Sequence, residues 1–148
     1  PMYNYSAFIY AKDAVNIALT GQGTLDGQAG EGTPWCWMSR DYMTDYQDDD
    51  RTALINMNNN RVPVEERIFG QGHFLRPNFI QVIGCENVLV EGITLVPSPM
   101  WEVNPVLCTN VTVRGIHIST KAANNDGIDP ESSNVKPRGP GNHPAGGI

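Results

Sequence analysis

The chain has 148 residues, 40% of them apolar, with 15 Gly and 11 Pro, and 10 Lys plus Arg against 16 Asp plus Glu for a net charge of −6. That is about one domain's worth of chain, able to bury roughly two thirds of its unfolded surface without disulfide or metal staples, which argues against global disorder. The acid excess without a basic stripe disfavours a nucleic-acid binder, because phosphate affinity comes from Lys and Arg releasing counterions, and no apolar run reaches the ~18 to 20 residues of a membrane span.

The start, Pro1 to Tyr10, lacks the charged and apolar regions of a signal peptide, so the compartment is unreadable from it. Asn16-Ile17 followed by Gly21 opens the first patterned segment, and Gly21 Gln22 Gly23 Thr24 Leu25 Asp26 Gly27 follows it. A long insertion separates Gln28 from Gly70. It holds Trp35, Trp37 and an acidic run through Asp41, Asp45, Asp48, Asp49 and Asp50. A short helix is expected over Asp50 to Met57 and another over Val64 to Arg67 after Pro63. Three consecutive Asp at 48 to 50 lack the alternating ligands of a calcium loop, so the run reads as solvated surface.

Beyond the insertion the sequence repeats. Cys85 to Leu95 and Cys108 to Ile118 match at an offset of 23, with Cys, Asn, Val, Val, Gly and Ile recurring in register. Asn134-Val135 continues the series 24 residues later, and Asn16-Ile17 is its earlier member. Within a unit Val88, Val90, Ile93 and Leu95 alternate with polar positions around the bend residue Gly92. A period of 23 fits one coil of a parallel β-helix, with coils ~4.8 Å apart and equivalent residues stacked. Val88 then lies on Val111 and Ile93 on Ile116, inside. Cys85 stacks on Cys108, read as free buried thiols, since with Cys36 they make an odd number and no CxxC or zinc spacing. Asn87, Asn110 and Asn134 are expected to stack at a turn, and Glu91 to face Arg114 as an exposed ion pair. The expected organisation is a partial β-helix over residues 1–135, interrupted at about 28–70, then an irregular tail over 136–148, where Pro and Gly break the strand pattern. That abrupt loss of pattern reads as a truncated or frame-shifted end.

On this repeat, Gly21 to Gly27, Leu75 Arg76 Pro77, Ser98 Pro99 Met100 Trp101 and Asn124 Asn125 Asp126 Gly127 Ile128 Asp129 occur in an order that resembles glycoside hydrolase family 28, the polygalacturonases. The resemblance runs from about Pro1 to Val135 and has the look of a fragment cut at both ends. It implies an all-β fold, a right-handed single-stranded parallel β-helix, here an incomplete solenoid. It also implies inverting hydrolysis of α-1,4-galacturonan in pectin, in which one carboxylic acid protonates the leaving oxygen and a carboxylate opposite activates water. The family's Asn-Thr-Asp motif falls on Asn124 Asn125 Asp126, so Asp126 is the expected catalytic carboxylate, and Asn124, Asn125 and Asp129 are candidate substrate-binding residues. Neither a metal nor a cofactor is implied. The family's Asp-Asp pair, Gly-His-Gly and Arg-x-Lys, which belong on later coils, do not occur in these 148 residues, and His143 does not replace the family histidine. One carboxylate cannot serve as both acid and base in a single displacement, so the chain by itself is expected to be inactive. The competing reading is a non-catalytic carbohydrate-binding or structural β-helix module; a calcium-dependent lyase would need an Arg base that is not found. Pectic galacturonan is the expected partner, exposed coil ends suggest self-association, and the family implies a secreted or periplasmic protein.

One geometric conflict follows from the stacking. Aligning Pro105 with Pro130 sets Trp101 over Asp126 and Val103 over Ile128, so strict alternation turns Asp126 inward beside Ile128. Burying that charge is costly. A bulge or bend at Gly127 is therefore expected to re-aim Asp126 toward the cleft. Trp101 reads as a core aromatic, His117 as solvated, and Arg76 as structural.

Overall fold

A computed structural model of the chain describes residues 2–30, 33, 46–120 and 124–138. Their strands form three parallel sheets, and the chain visits each sheet once per coil, giving a right-handed parallel β-helix. The first sheet holds β1 (Ile9–Lys12), β4 (Ile80–Ile83) and β7 (Val103–Val106). The second holds β2 (Val15–Thr20), β5 (Glu86–Glu91), β8 (Thr109–Arg114) and β10 (Val135–Arg138). The third holds β3 (Thr24–Asp26), β6 (Thr94–Val96) and β9 (His117–Ile118).

The repeat sets the register. Ile17, Val88, Val111 and Val135 form one column across four coils, and Leu19, Val90 and Val113 form another. Their alternation points every second residue into a shared interior, where Val88, Val90, Leu95, Val111 and Val113 are buried. Each such side chain contributes about 1.5–3 kcal/mol relative to leaving it exposed. Cys85 and Cys108 are free and buried in the same core.

The corners between strands are equally regular. Asp13, Gly84, Leu107 and Ser132 have φ between 51° and 61° at the bend after each first-sheet segment. Asn16, Asn87 and Asn110 repeat a left-handed conformation at φ 57°, 56° and 55°. Their side chains form a ladder, Asn110 Nδ2 donating to Asn87 Oδ1 at 2.7 Å and Asn87 Nδ2 to Asn16 Oδ1 at 2.9 Å. Asn suits this position because its short polar side chain tolerates the left-handed region and bonds to its copy on the next coil. The ladder ends differently from the expectation. Asn134 keeps the register, since Val135 pairs with Val111, but it is not left-handed. The reason is length: Glu131 bridges Val106, so this bend reaches Val135 in four residues where the preceding one takes five to reach Val111.

The strand β10 also corrects the expected boundary at residue 135, because pairing continues through Arg138 with Pro137 opposite Val113. A proline is tolerated because β10 is the outer strand of its sheet, where a backbone N–H facing away from the neighbour is not needed. The rest of the expected tail, residues 139–148, lies outside the described residues, as do Trp35, Cys36, Trp37, Asp41 and Asp45.

The insertion contributes α1 (Asp48–Asn59), two residues longer at each end than expected, and a single 3-10 turn at Val64–Glu66. Three Asp in the first turn of α1 face its positive end. The helix buries none of its residues completely, so specific bonds attach it. Asp50 lies with Oδ1 2.6 Å from His73 Nδ1 and accepts the Phe74 N–H on Oδ2 at 2.5 Å. Asp50 is thus a tether, with its side chain only 13% exposed, and not the solvated acid that the run suggests. Glu91 and Arg114 form the expected exposed ion pair, with Arg114 Nε 2.8 Å from Glu91 Oε1.

Candidate active site

The strand β7 begins one residue after Glu102 and carries the register onto the last described coil through the bridge between Val103 and Ile128. This sets Asn78, Trp101 and Asp126 in one column, as the alignment of Pro105 with Pro130 requires. Glu102 N–H donates to the Asp126 carbonyl at 3.0 Å, and Asp129 N–H to the Val103 carbonyl at 2.9 Å. Between these two bonds the chain bends at Gly127, the irregularity expected there, and Asp126 and Ile128 are each half-buried. The Asp126 carboxylate is thus not sealed in the core.

The flanking polar residues hold this bend. Asn124 is exposed, left-handed at φ 59°, and accepts on Oδ1 from Arg76 Nη2 at 3.2 Å. Arg76 is buried and also donates to the Pro99 carbonyl at 2.7 Å and to Gln47 Oε1 at 3.1 Å. One guanidinium therefore joins the start of α1, the Ser98-Pro99 loop and the segment leading to Asp126. Asn125, expected at the substrate, is instead only 4% exposed. Its Nδ2 donates to the Ser98 carbonyl at 2.7 Å and to Ser98 Oγ at 3.0 Å, so the amide is turned into the fold.

Two residues that sequence patterns did not single out complete the surroundings. Glu102 has no exposed surface, and burial pushes its carboxyl from the ordinary 4.5 up to about 7, against the opposing influence of Ser98 and Asn125. Asn104, also fully buried, accepts on Oδ1 from Asn78 Nδ2 and Gln81 Nε2 at 2.8 and 2.9 Å. Its own Nδ2 donates to the Asp129 carbonyl at 2.8 Å, which ties the last coil to the two before it. Asp129 is half-buried, and its carboxyl is raised by burial first, then by the negative charges of Asp126 and Glu131. A carboxyl group whose ionisation is made costlier by burial and by neighbouring acids is a common mark of a functional site. Beside Asn78 a pocket of about 380 Å³ opens over the earlier coils, lined by Phe8, Asp26, Pro77, Phe79 and Pro99. Trp101 is half-buried and His117 exposed.

Comparison with known proteins places this arrangement. Residues 2–136 match the model for glycosyl hydrolases family 28. The chain belongs to that family. As a family 28 chain it is similar in structure to a hyperthermoactive exopolygalacturonase from Thermotoga maritima, with a TM-score of 0.81 and 43% identity over 92% of this chain and 34% of that one. It is also similar to a polygalacturonase from Erwinia carotovora ssp. carotovora, with a TM-score of 0.60 and 25% identity over 89% of this chain and 31% of that one. A probable polygalacturonase of Vitis vinifera is 34% identical over 65 residues, which is 43% of this chain and 13% of that protein. The chain thus spans about a third of the length of the family 28 structures it matches.

Proposed function

We propose that this chain forms the early coils of an inverting, polygalacturonase-like hydrolase of pectic galacturonan, with Asp126 as a water-activating carboxylate. The observation that carries the reading is the placement of Asp126: a half-exposed acid at a bend, fixed through its carbonyl by Glu102 N–H and close enough to Asp129 to raise its neighbour's proton affinity. In an inverting displacement such a carboxylate takes a proton from water on one side of the sugar, while an acid about 6.5–9.5 Å away protonates the departing oxygen. That acid belongs to the coil after this one, where the family resemblance sets an Asp-Asp pair.

Asn124 and Asp129 are assigned to the substrate. Asn124 is exposed two residues before Asp126, and Asp129 is a half-buried carboxyl whose proton affinity is raised by burial and by Asp126 and Glu131. Asn125 acts from beneath by fixing the bend. The pocket beside Asn78 lies in the same column two coils earlier, so it continues the groove along the polymer. A galacturonan substrate accords with a secreted or periplasmic protein.

The test is release of reducing ends from polygalacturonic acid by this chain extended through a following coil that carries an Asp-Asp pair. Hydrolysis with inverted product configuration is expected. Asp126→Asn should lower the rate by about 10²–10⁴-fold, the usual contribution of a positioned acid or base. Binding of oligogalacturonate without turnover in that longer chain would favour the non-catalytic module.

A further inference from the structure

Glu102 is an anomaly that the hydrolytic reading leaves unused. A carboxyl group with no exposed surface is expected to be paired or fully hydrogen-bonded, because its charged form loses hydration that nothing else restores. Among the described residues neither of its oxygens has a well-formed hydrogen bond, and the same is true of Asn125 Oδ1, although Ser98 and Asn125 lie near enough to favour the charged form in part. All three atoms are acceptors if Glu102 is ionised, and Asn125 Nδ2 is already committed to Ser98, so ionisation leaves Asn125 Oδ1 without a donor. One proton on Glu102 changes this, since a carboxylic O–H donates while Asn125 Oδ1 accepts. The two groups are neighbours, because Asn125 and Ser98 are the polar side chains that act on the Glu102 carboxyl. Charged residues on the adjoining segments are Arg76, Asp126 and Asp129. Arg76 donates to Pro99 and Asn124, and none of the three contributes to the shift at Glu102, which burial causes.

We propose that Glu102 is a positioning residue for Asp126, holding the segment from two sides: its backbone N–H binds the Asp126 carbonyl, and its neutral carboxyl donates its proton to Asn125 Oδ1. The assignment deepens the catalytic role proposed for Asp126 and rests on it for its functional meaning. Asn125 Nδ2 already grips Ser98, so protonated Glu102 closes a chain of bonds from the Ser98 loop through Asn125 to the residue beside the acid. Loss of that proton puts an uncompensated charge and a free acceptor directly under the bend. The upper pH limit of the site is then set by a group that never touches substrate.

The experiment follows the Asp126 carboxyl carbon by NMR across the range from 4.5 to about 7 and above, in the 148-residue chain and in two variants. In the unaltered chain the Asp126 signal should show a second inflection near the pH at which Glu102 ionises. Glu102→Gln, which keeps an N–H donor for Asn125 but cannot ionise, should retain the low-pH spectrum and lose that inflection. Glu102→Leu, which offers no donor, should shift the Asn125 side-chain amide signals at every pH, and a partial loss of folded signal would be expected with it. The proposal is overturned by an Asp126 titration that is the same in the unaltered chain and Glu102→Gln, or by Asn125 signals that Glu102→Leu leaves in place. None of these readouts uses turnover, so a failure of the hydrolytic assignment and a failure of this one are separately visible.

Discussion

Glu102 also makes a prediction about stability, with a sign that differs from the usual surface acid. Its folded-state proton affinity is raised from 4.5 to about 7, so the folded chain binds the extra proton between those limits. The stabilisation is fully present below about 4.5 and is lost as pH rises through about 7, a loss of roughly 3 kcal/mol. Thermal unfolding across this range should show the decline, and Glu102→Gln should flatten it. A second prediction concerns Gly92, at φ 78°, where an added Cβ would lie 2.4 Å from the Gly21 carbonyl oxygen on the preceding coil. Gly92→Ala combines left-handed strain with that collision, so it should cost more than the ~1 kcal/mol of backbone strain alone, read as a lowered denaturation midpoint. In the core, Leu95 has no exposed surface, and Leu95→Ala should cost about 2–5 kcal/mol by the same measurement. Leu95 was legible from alternation alone. Glu102 was not, because Trp101-Glu102-Val103 reads as an ordinary in-out pattern with the acid outward. Ser98 and Asn125, which lie beside its carboxyl, come from elsewhere in the coil and from the next one.

At the scale of elements, the insertion and the bend are held together by a few polar contacts. The helix α1 buries none of its residues fully, and its anchors include Asp50 on His73 and Phe74, Gln47 on Arg76, and Asn58, which accepts from Arg67 Nη1 at 3.2 Å. Asp50→Asn should therefore raise hydrogen exchange in α1 much more than in β5 or β8, because it weakens the tether and leaves the valine columns intact. Equal change in all three would contradict the tether. The helix itself was legible from its apolar and acidic residues, though its attachment was not: an acidic run looks the same in sequence whether it faces water or accepts a backbone N–H. The same limit applies at β10. Pro137 reads as a strand breaker, and only its place on an outer strand makes it harmless. Likewise the Asn column was visible at 16, 87 and 110, while the missing left-handed turn at Asn134 depended on a bend one residue shorter.

For the whole molecule, the recurrence at 23 residues was the decisive signal, because stacking identical positions makes the sequence itself periodic. Register and interior followed from it, and the stacking of Trp101 over Asp126 came with them, while the three sheets and the place of Asn78 came from the structure. The attachment of the insertion did not follow either, since it lies between the repeats. Parallel coils also leave outer strands: β2 and β10 flank the second sheet, and Tyr10, Val15 and Leu107 are large apolar side chains left exposed. Concentration-dependent association of the 148-residue chain is expected, and light scattering showing a single monomer over a wide concentration range would contradict it.

The stacked corners have one consequence for how such a groove changes over generations. Because each described turn of the spiral repeats the kink at Asp13, Gly84, Leu107 and Ser132, gaining or losing one whole turn shifts whatever lies beyond it by a fixed notch of ~4.8 Å. The reach from Asn78 to Asp126 is thus counted in integers, two complete turns of the spiral.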